Sequence, residues 1–197
     1  MSDAAITYDQ GMNRWEPNAR SRLQEAALDL YSERGFEQTT VAEIASRAGL
    51  TERTFFRYFA DKREVLFWGS AALQELMVSI LDGTPDSVAP IDAVGGAVAA
   101  AGQFFDRNYS RRRQAVIVAN TELQERELIK LSTLAAALGD TLRNRGIKDP
   151  AASLTAEAGI AVFKIAFERW IDDAEQDDFT QHVRASLLEL KAVTAGH

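Results

Sequence analysis

Apolar residues recur at helical spacing along most of this 197-residue chain, and this periodicity limits the possible folds more than any other feature. In 20–34, for example, the apolar positions lie three or four residues apart, which places them on one face of an α-helix. The alternation of apolar and polar residues that would indicate strands is almost absent, and the chain holds only four prolines. The sequence therefore predicts an all-α fold of about nine helices.

Residues that favour helix ends divide the chain into these helices. Gly35 follows the first helix and tolerates the positive φ angle that often ends one. Thr40 and Glu43 have the spacing of a capping box, and Asp61 and Glu64 repeat it, so each pair predicts a helix start. The predicted helices span 20–34, 40–49, 51–59, 61–81, 90–108, 110–119, 121–145, 151–174 and 177–193.

The rarity of cysteine and histidine excludes several classes of site. The chain contains no cysteine and only two histidines, His182 and His197. Disulfides, cysteine-bound zinc, thiol nucleophiles and histidine-rich metal sites are therefore excluded. The sequence also lacks a glycine-rich phosphate loop and a Glu-x-x-His pair. We expect no metal, no cofactor and no enzymatic activity.

The chain lacks the sequence features of a secreted or membrane protein. Residues 1–13 contain two acidic side chains, no basic side chain and no long apolar run, unlike a secretory signal. The longest weakly polar stretch, 88–103, is interrupted by Asp92 and is too short to span a bilayer. These features predict a soluble, cytoplasmic protein without a membrane partner.

The segment 40–59 carries the clearest functional pattern. It consists of two short predicted helices joined by a tight turn at 48–50, which is the form of a helix-turn-helix. In the second helix Arg53, Thr54 and Arg57 fall on the outer side, where two arginines one turn apart suit guanine edges. Residues 1–64 hold nine basic and eleven acidic side chains, so basic charge is local to one face. A structural helical hairpin with solvated arginines fits the same pattern equally well.

The run from Arg20 to Leu66 resembles the N-terminal domain of the TetR family of bacterial transcriptional regulators. It covers about a quarter of the chain without a gap. The matching segments are 26–31 (AALDLY), 33–36 (ERGF), 39–45 (TTVAEIA), 48–51 (AGLT), 54–59 (TFFRYF) and 61–66 (DKREVL). The resemblance implies a three-helix DNA-binding domain followed by a helical domain that binds an effector and dimerises.

The resemblance also implies roles for individual residues of the first domain. Phosphate contacts are expected through the amides and hydroxyls of Thr39 and Thr40. The residues expected to face the bases are Thr51, Arg53, Thr54 and Arg57. Those expected to contact the DNA backbone are Phe56, Tyr58 and Lys62.

We expect three segments: a flexible arm over 1–17, the helix-turn-helix domain over 18–64, and the effector-binding and dimerisation domain over 65–197. Aromatic residues with a few polar ones are typical of ligand cavities, although at helical spacing they are more often plain core. The candidate pocket residues are Trp68, Phe104, Phe105, Asn108, Tyr109, Asn120, Phe163, Phe167 and Trp170. The candidate dimer interface is Leu154, Ala158, Ala161, Ile165, Phe179, Val183, Leu187 and Leu190. The alternative is that these faces are monomer core, but a dimer is favoured because two half-sites one DNA turn apart need two recognition helices.

The function predicted from these features is ligand-responsive, sequence-specific regulation of transcription. We expect a homodimeric repressor of a palindromic operator in double-stranded DNA, released by a small molecule. A constitutive or architectural DNA-binding protein without an effector is the alternative. The run Arg111–Arg113 is most simply a solvated helix start. The more specific hypothesis is a clamp for an anionic ligand such as a carboxylate or an acyl-CoA phosphate.

Overall fold

The computed structural model describes residues 19–174 and 178–196, and in these residues the only regular elements are helices. The prediction of an all-α chain with about nine helices is confirmed, because nine α-helices exceed a single turn. The arm predicted for 1–17 lies outside the described residues. The helices are α1 (Ala19–Arg34), α2 (Val41–Arg47), α3 (Glu52–Tyr58), the single turn α4 (Glu64–Phe67), α5 (Ser70–Gly83), α6 (Pro90–Ala100), α7 (Arg107–Val118), α8 (Thr121–Asn144), α9 (Ala151–Asp172) and α10 (Phe179–Ala195), with a 3-10 helix (Ala101–Phe104) after α6.

The first of two apolar cores is built on α1 to α4. Leu23, Ile44 and Phe55 come from α1, α2 and α3 and are fully buried in it. Val65 to Phe67 of α4 pack in the same core, together with Ile117 of α7. The N-terminal core thus continues past residue 64, and α7 covers one side of it.

The second core lies between α5, α6, α8, α9 and α10. Glycine lets two of these helices approach closely, since a Cβ on Gly159 of α9 would lie 2.2 Å from Val94 Cγ1 of α6. A Cβ on Gly95 would likewise lie 2.6 Å from Leu187 of α10. Gly159 of α9 therefore serves packing within the chain.

The predicted helix over 61–81 is divided in two. Gly69, with φ of 93°, interrupts it and precedes α5. The Asp61 carboxylate does accept the amides of Arg63 and Glu64, at 2.8 and 3.1 Å, as a helix cap would. Glu64 does not complete the box, because its carboxylate binds α8 instead. By length and composition alone Glu64–Gly83 could cross a membrane, but the break at Gly69 leaves no continuous helix.

Candidate DNA-binding surface and ligand cavity

The N-termini of α2 and α3 are each fixed by a threonine. Thr40 Oγ1 accepts the amide of Glu43 at 3.3 Å, and Glu43 Oε2 accepts the amide of Thr40 at 2.9 Å, which confirms the predicted capping box. These hydrogen bonds hold the pKa of the exposed Glu43 carboxyl below its ordinary value. Thr51 Oγ1 caps α3 by accepting the amide of Thr54 at 3.2 Å. Two short helices therefore begin at defined residues despite their low intrinsic stability.

The turn between α2 and α3 is held from α1. Gly49 has φ of 64°, and the amide of Leu50 donates to the carbonyl of Ala45 at 2.8 Å. Arg22 of α1 donates from Nη2 to the carbonyl of Ala48 at 2.5 Å. A Cβ on Gly49 would lie 2.7 Å from the same Arg22 nitrogen. Glycine is thus favoured at this turn by its backbone angle, while the end of the Arg22 side chain occupies the space beside it.

The outer face of α3 carries the two arginines predicted to read bases. Arg53, Phe56 and Arg57 are exposed, while Phe55 is fully buried beneath them. Arg57 lies over the Tyr58 ring at 4.8 Å from its centroid and donates to the Tyr58 hydroxyl at 3.0 Å. Among the described residues, neither Arg53 nor Arg57 has a carboxylate in ion-pair range, in contrast to nearby arginines that do: Arg34, Arg47 and Arg63.

Thr39 is committed to the fold, which corrects its expected phosphate contact, and Lys62 also makes contacts within the chain. Thr39 is 1% exposed, and its hydroxyl donates to the carbonyl of Gly35 at 2.9 Å. The Lys62 ammonium donates to the carbonyls of Phe36 at 2.9 Å and Thr39 at 3.1 Å, and it lies over the Phe36 ring. Both side chains tie down the segment between α1 and α2. Lys62 is half-buried, so its contact with the DNA backbone stays a prediction.

A cavity of about 570 Å³ lies between α4, α5, α7, α8 and α9. Its volume is in the range of small-molecule sites. Six of the nine predicted pocket residues line it: Trp68, Phe104, Phe105, Tyr109, Phe163 and Phe167. Trp68 and Phe104 are about half exposed, so the cavity opens to the surface beside them.

The other three predicted pocket residues are corrected by their positions. Trp170 is 5% exposed and packs in the second core, 5.8 Å from the Phe179 ring. Asn120 caps α8 through the amide of Leu123 at 3.1 Å and donates to Glu37 at 3.0 Å. Asn108 is exposed on α7 and does not line the cavity. Asparagine before a helix is a cap signal, so the sequence did contain the information for Asn120.

Charged residues that sequence reasoning did not place in the pocket line its α7 and α8 sides. Arg113 of α7 is mostly buried and donates from Nε to the carbonyl of Leu66 at 2.7 Å. It also pairs with Glu127 at 3.3 Å and lies over the Phe67 ring. Burial lowers the pKa of the Arg113 guanidinium, and the charge of Glu127 acts in the opposite direction.

Glu64 of α4 bridges the first core to the cavity wall. Its carboxylate binds Arg126 through Oε1 and Lys130 through Oε2, the second at 3.1 Å. Arg126 and Lys130 are one turn apart on α8, and both line the cavity. No local signal could reveal this contact, since more than 60 residues separate Glu64 from its partners.

Only the third residue of the run Arg111–Arg113 reaches the cavity. Arg111 donates from Nε to the carbonyl of Ile171 at 2.7 Å, and Arg112 pairs with Asp29 of α1. The run is neither a solvated helix start nor a three-arginine clamp. It ties α7 to three different elements, namely α9, α1 and α4.

The predicted dimer-interface residues divide between surface and core. Leu154 and Ile165 of α9 are 65% and 46% exposed, with Ala161 exposed and Ala158 partly exposed in the same stripe. The predicted face of α10 is corrected, since it packs in the second core: Phe179, Val183, Leu187 and Leu190. The opposite face of α10 exposes Leu188 and Val193, both at 68%. Sequence periodicity identified the apolar stripes but not which of them the chain itself covers.

Comparison with known proteins follows the division between the two cores. The sequence model described as "Bacterial regulatory proteins, tetR family" matches residues 23–67, which include the whole of α2, α3 and α4. Residues 23–67 therefore form a TetR-family N-terminal domain. Two similar curated proteins are the transcriptional regulator TcmR of Streptomyces glaucescens and the putative mycofactocin biosynthesis regulator MftR of Mycobacterium tuberculosis. The TcmR match is 38% identical over 78 residues, 40% of this chain and 34% of TcmR. The MftR match is 25% identical over 175 residues, 85% of this chain and 87% of MftR.

Solved structures of bacterial transcriptional regulators share the fold over most of the chain. FadR from Bacillus subtilis, in complex with stearoyl-CoA, matches with a TM-score of 0.58 and 19% identity, covering 86% of this chain and 96% of FadR. NalD of Pseudomonas aeruginosa matches with a TM-score of 0.59 and 19% identity, covering 88% and 97%. The TetR model ends at residue 67, so it does not include the cavity residues of α7 to α9, and their role must be argued from their own chemistry.

Proposed function

We propose that this TetR-family chain is a transcriptional repressor. It binds a palindromic operator in double-stranded DNA as a homodimer, and a small molecule in the cavity releases it. The observation that carries the proposal is the outer face of α3, where Arg53 and Arg57 stand exposed and without a carboxylate partner among the described residues. A recognition helix needs this arrangement, because arginines already paired at the protein surface are less available to bases.

The roles on DNA follow from which groups are accessible. Arg53 and Arg57 read guanine edges, with Thr51 and Thr54 beside them at the start of α3. Thr40, exposed at the N-terminus of α2, contacts a phosphate. Phe56 and Tyr58 flank this surface and contact the DNA backbone. The long acidic remainder of the chain faces away, as a protein of net charge −7 requires.

The dimer is expected to form through the exposed stripe of α9 and the outer face of α10. Leu154, Ile165 and Leu188 are large apolar side chains exposed on neighbouring helices, and two copies of such a face can form a four-helix interface. Two recognition helices are needed for half-sites one DNA turn apart, about 34 Å. A dimer therefore accounts both for the exposed stripe and for a palindromic target.

The effector site is the cavity between α4 and α5 on one side and α7 to α9 on the other. A ligand there releases DNA only if it binds the two conformations differently, with a coupling of roughly 1–3 kcal/mol. The TetR-like fold supports such a role in its relatives, since NalD is a repressor and FadR was solved with stearoyl-CoA. The corresponding place of action is the cytoplasm, where the chromosome lies.

Selection from a pool of random DNA duplexes tests the proposal. We expect a palindrome to be enriched. Arg53→Ala should weaken the free energy of binding to this palindrome by about 1–3 kcal/mol and relax the base preference at one position. Arg47→Ala is the matched control, because Arg47 is an exposed arginine of α2 already paired with Glu33. Enrichment of no sequence, or equal losses for both variants, would contradict the proposal.

A second experiment separates a ligand-released repressor from a constitutive binder. Fractionated small-molecule extracts are titrated against the complex of the chain with its selected palindrome. We expect at least one fraction to dissociate the complex, and a variant with the cavity filled, Ser110→Trp, to resist it. Ser110 lines the cavity and is 5% exposed. If no fraction acts, the constitutive alternative is favoured. If the filled variant responds like the wild type, the effector does not act through this cavity.

A further inference from the structure

The cations on the α8 wall of the cavity outnumber the carboxylates that contact them. Arg126 and Lys130 share one carboxylate, that of Glu64, and in the described part of the chain no other acidic side chain reaches either of them. An arginine has five N–H donors and a lysine three, so several donors remain at this wall. Their side chains are 34% and 28% exposed, which leaves them partly open to the cavity.

The carboxylates that line the cavity are occupied or lie at its rim. Glu127 accepts from Arg113 at 3.3 Å and from Gln114 at 3.5 Å. Asp106 caps α7 by accepting the amide of Tyr109 at 2.8 Å. Glu168 lines the cavity from the exposed surface of α9. Within the described residues, the interior thus offers spare donors for an anion and no unoccupied carboxylate for a cation.

Another part of the cavity lining is apolar. Phe163 and Phe167 stack with their ring centroids 6.0 Å apart, and Phe105 meets Phe167 edge-on at 5.4 Å. Leu73 and Leu134 extend this surface from α5 and α8. Aromatic and aliphatic walls of this kind bind the apolar body of a ligand, and the few polar groups fix its orientation.

We propose that the effector is an amphipathic anion, with an apolar body against the phenylalanines and an anionic group bound by Arg126 and Lys130 in place of Glu64. Carboxylate, sulfonate and phosphate share the chemistry that this pair of cations recognises. The proposal deepens the proposed function, on which its regulatory part rests. The ligand class itself depends only on the cavity.

Competition with Glu64 gives the anion a route to the DNA-binding domain. Glu64 begins α4, which directly follows the helix-turn-helix, and Leu66 of the same turn is held by Arg113. An anion that takes over Arg126 and Lys130 frees the Glu64 carboxylate and loosens the attachment of α4 to α8. The ligand therefore favours conformations in which α4 is displaced, and these place the two recognition helices differently.

Head-group comparison tests the ligand class. Calorimetric titration uses two apolar bodies, naphthylmethyl and undecyl, each carrying a carboxylate, a primary carboxamide or an aminomethyl group. We expect the carboxylate to bind at least about fivefold more tightly than the amide on at least one body, with the amine weakest. Equal or tighter binding of the amide or amine, or no binding by any of the six compounds up to their solubility limits, would overturn the proposal.

Substitutions on the two sides of the ion pairs between Glu64 and α8 should change carboxylate affinity in opposite directions. Lys130→Met removes one anion donor, so the carboxylate should lose its advantage while the amide keeps its affinity. Glu64→Gln removes the competing carboxylate and should tighten carboxylate binding by about fivefold or more. Arg112→Met is the control, since Arg112 pairs with α1 outside the cavity. If Glu64→Gln leaves carboxylate affinity unchanged or weakens it, competition with Glu64 is refuted.

DNA binding is measured separately from ligand binding, so the proposed repressor function and the proposed ligand class can be contradicted independently. If the chain prefers the carboxylates but selects no palindrome, the proposed ligand class stands and the proposed repressor function is contradicted. If the chain selects a palindrome and is released from it by a neutral or cationic compound, the proposed repressor function stands and the proposed anionic effector is contradicted. Release of the selected palindrome by the preferred carboxylate, weakened in Lys130→Met, supports both.

Discussion

Replacing Lys62 with methionine tests whether its ammonium group supports the fold or contacts DNA. Family resemblance assigns this lysine to the DNA backbone, whereas in the structure it donates to the carbonyls of Phe36 and Thr39 at 2.9 and 3.1 Å. The same group lies 4.2 Å from the centroid of the Phe36 ring. Methionine retains most of the apolar stem and removes only the charge and its donors.

The expected loss follows from these contacts. A hydrogen bond from a charged donor contributes about 1.5–3 kcal/mol, and a cation over an aromatic ring at a partly exposed site about 0.5–1 kcal/mol. Lys62 is half-buried, so the lower part of these ranges applies. We expect Lys62→Met to reduce the free energy of unfolding by about 2 kcal/mol, because two carbonyls of the α1–α2 segment lose their donor.

Urea unfolding and salt-dependent binding to non-specific duplex DNA distinguish the two roles. A lost phosphate contact lowers the slope of log affinity against log salt by about 0.9, whereas a structural lysine leaves the slope unchanged. Arg53→Met is the matched control, since Arg53 is exposed and should alter binding without altering stability. Unchanged unfolding together with a slope reduced by about one would refute the structural role of Lys62.

Three further predictions concern packing and pH. Phe55→Ala should destabilise the N-terminal core by about 3–5 kcal/mol, measured by urea unfolding, because the ring is fully buried. Gly159→Ala should cost about 1–3 kcal/mol, since its Cβ would lie 2.2 Å from a valine methyl of α6. Gly139→Ala, whose Cβ meets only ordinary contacts from 3.5 Å, should instead be neutral or stabilising. The carboxyl of Glu43 has a lowered pKa because Thr40 donates to it. The wild type should therefore be more stable than Glu43→Gln above the ordinary carboxyl pKa, and it should lose this advantage as the pH falls through the lowered pKa. Urea unfolding measured across pH follows the difference.

The helices and the helix-turn-helix could be predicted because their signals are local. A capping box such as Thr40 to Glu43 spans four residues, and the hydrogen bonds that it predicts are present. Burial of Phe55 and exposure of Arg53 follow from helical periodicity within one turn. Each of these inferences needs only neighbours in the sequence.

Roles that depend on distant partners could not be predicted. Glu64 has the spacing of a capping residue, but its carboxylate forms ion pairs with Arg126 and Lys130, more than 60 residues away. Arg113 stands in a run of three arginines, and only the fold shows that it alone reaches the cavity. A local pattern is satisfied by several tertiary arrangements, and the fold selects one.

Apolar stripes pose the same problem for surfaces. Leu154 on α9 and Val183 on α10 belong to stripes of equal regularity, yet the first is 65% exposed and the second is 1% exposed. Both helices pack against α6, α10 through Leu187 and α9 through Gly159, and Leu154 lies on the face of α9 that this packing leaves exposed. Sequence periodicity therefore located the faces of both helices but could not identify the one left exposed.

The single turn α4 belongs to both halves of the molecule, and this explains how a small cavity can influence a distant surface. Val65 packs in the N-terminal core, while Leu66 and Glu64 are held by Arg113 and by the cations of α8. A ligand shifts a conformational equilibrium only through contacts that differ between the states. Since the cavity lining includes both Arg113 and the partners of Glu64, a ligand that engages these groups acts on the attachment of α4 directly, and no longer chain of intermediate residues is required.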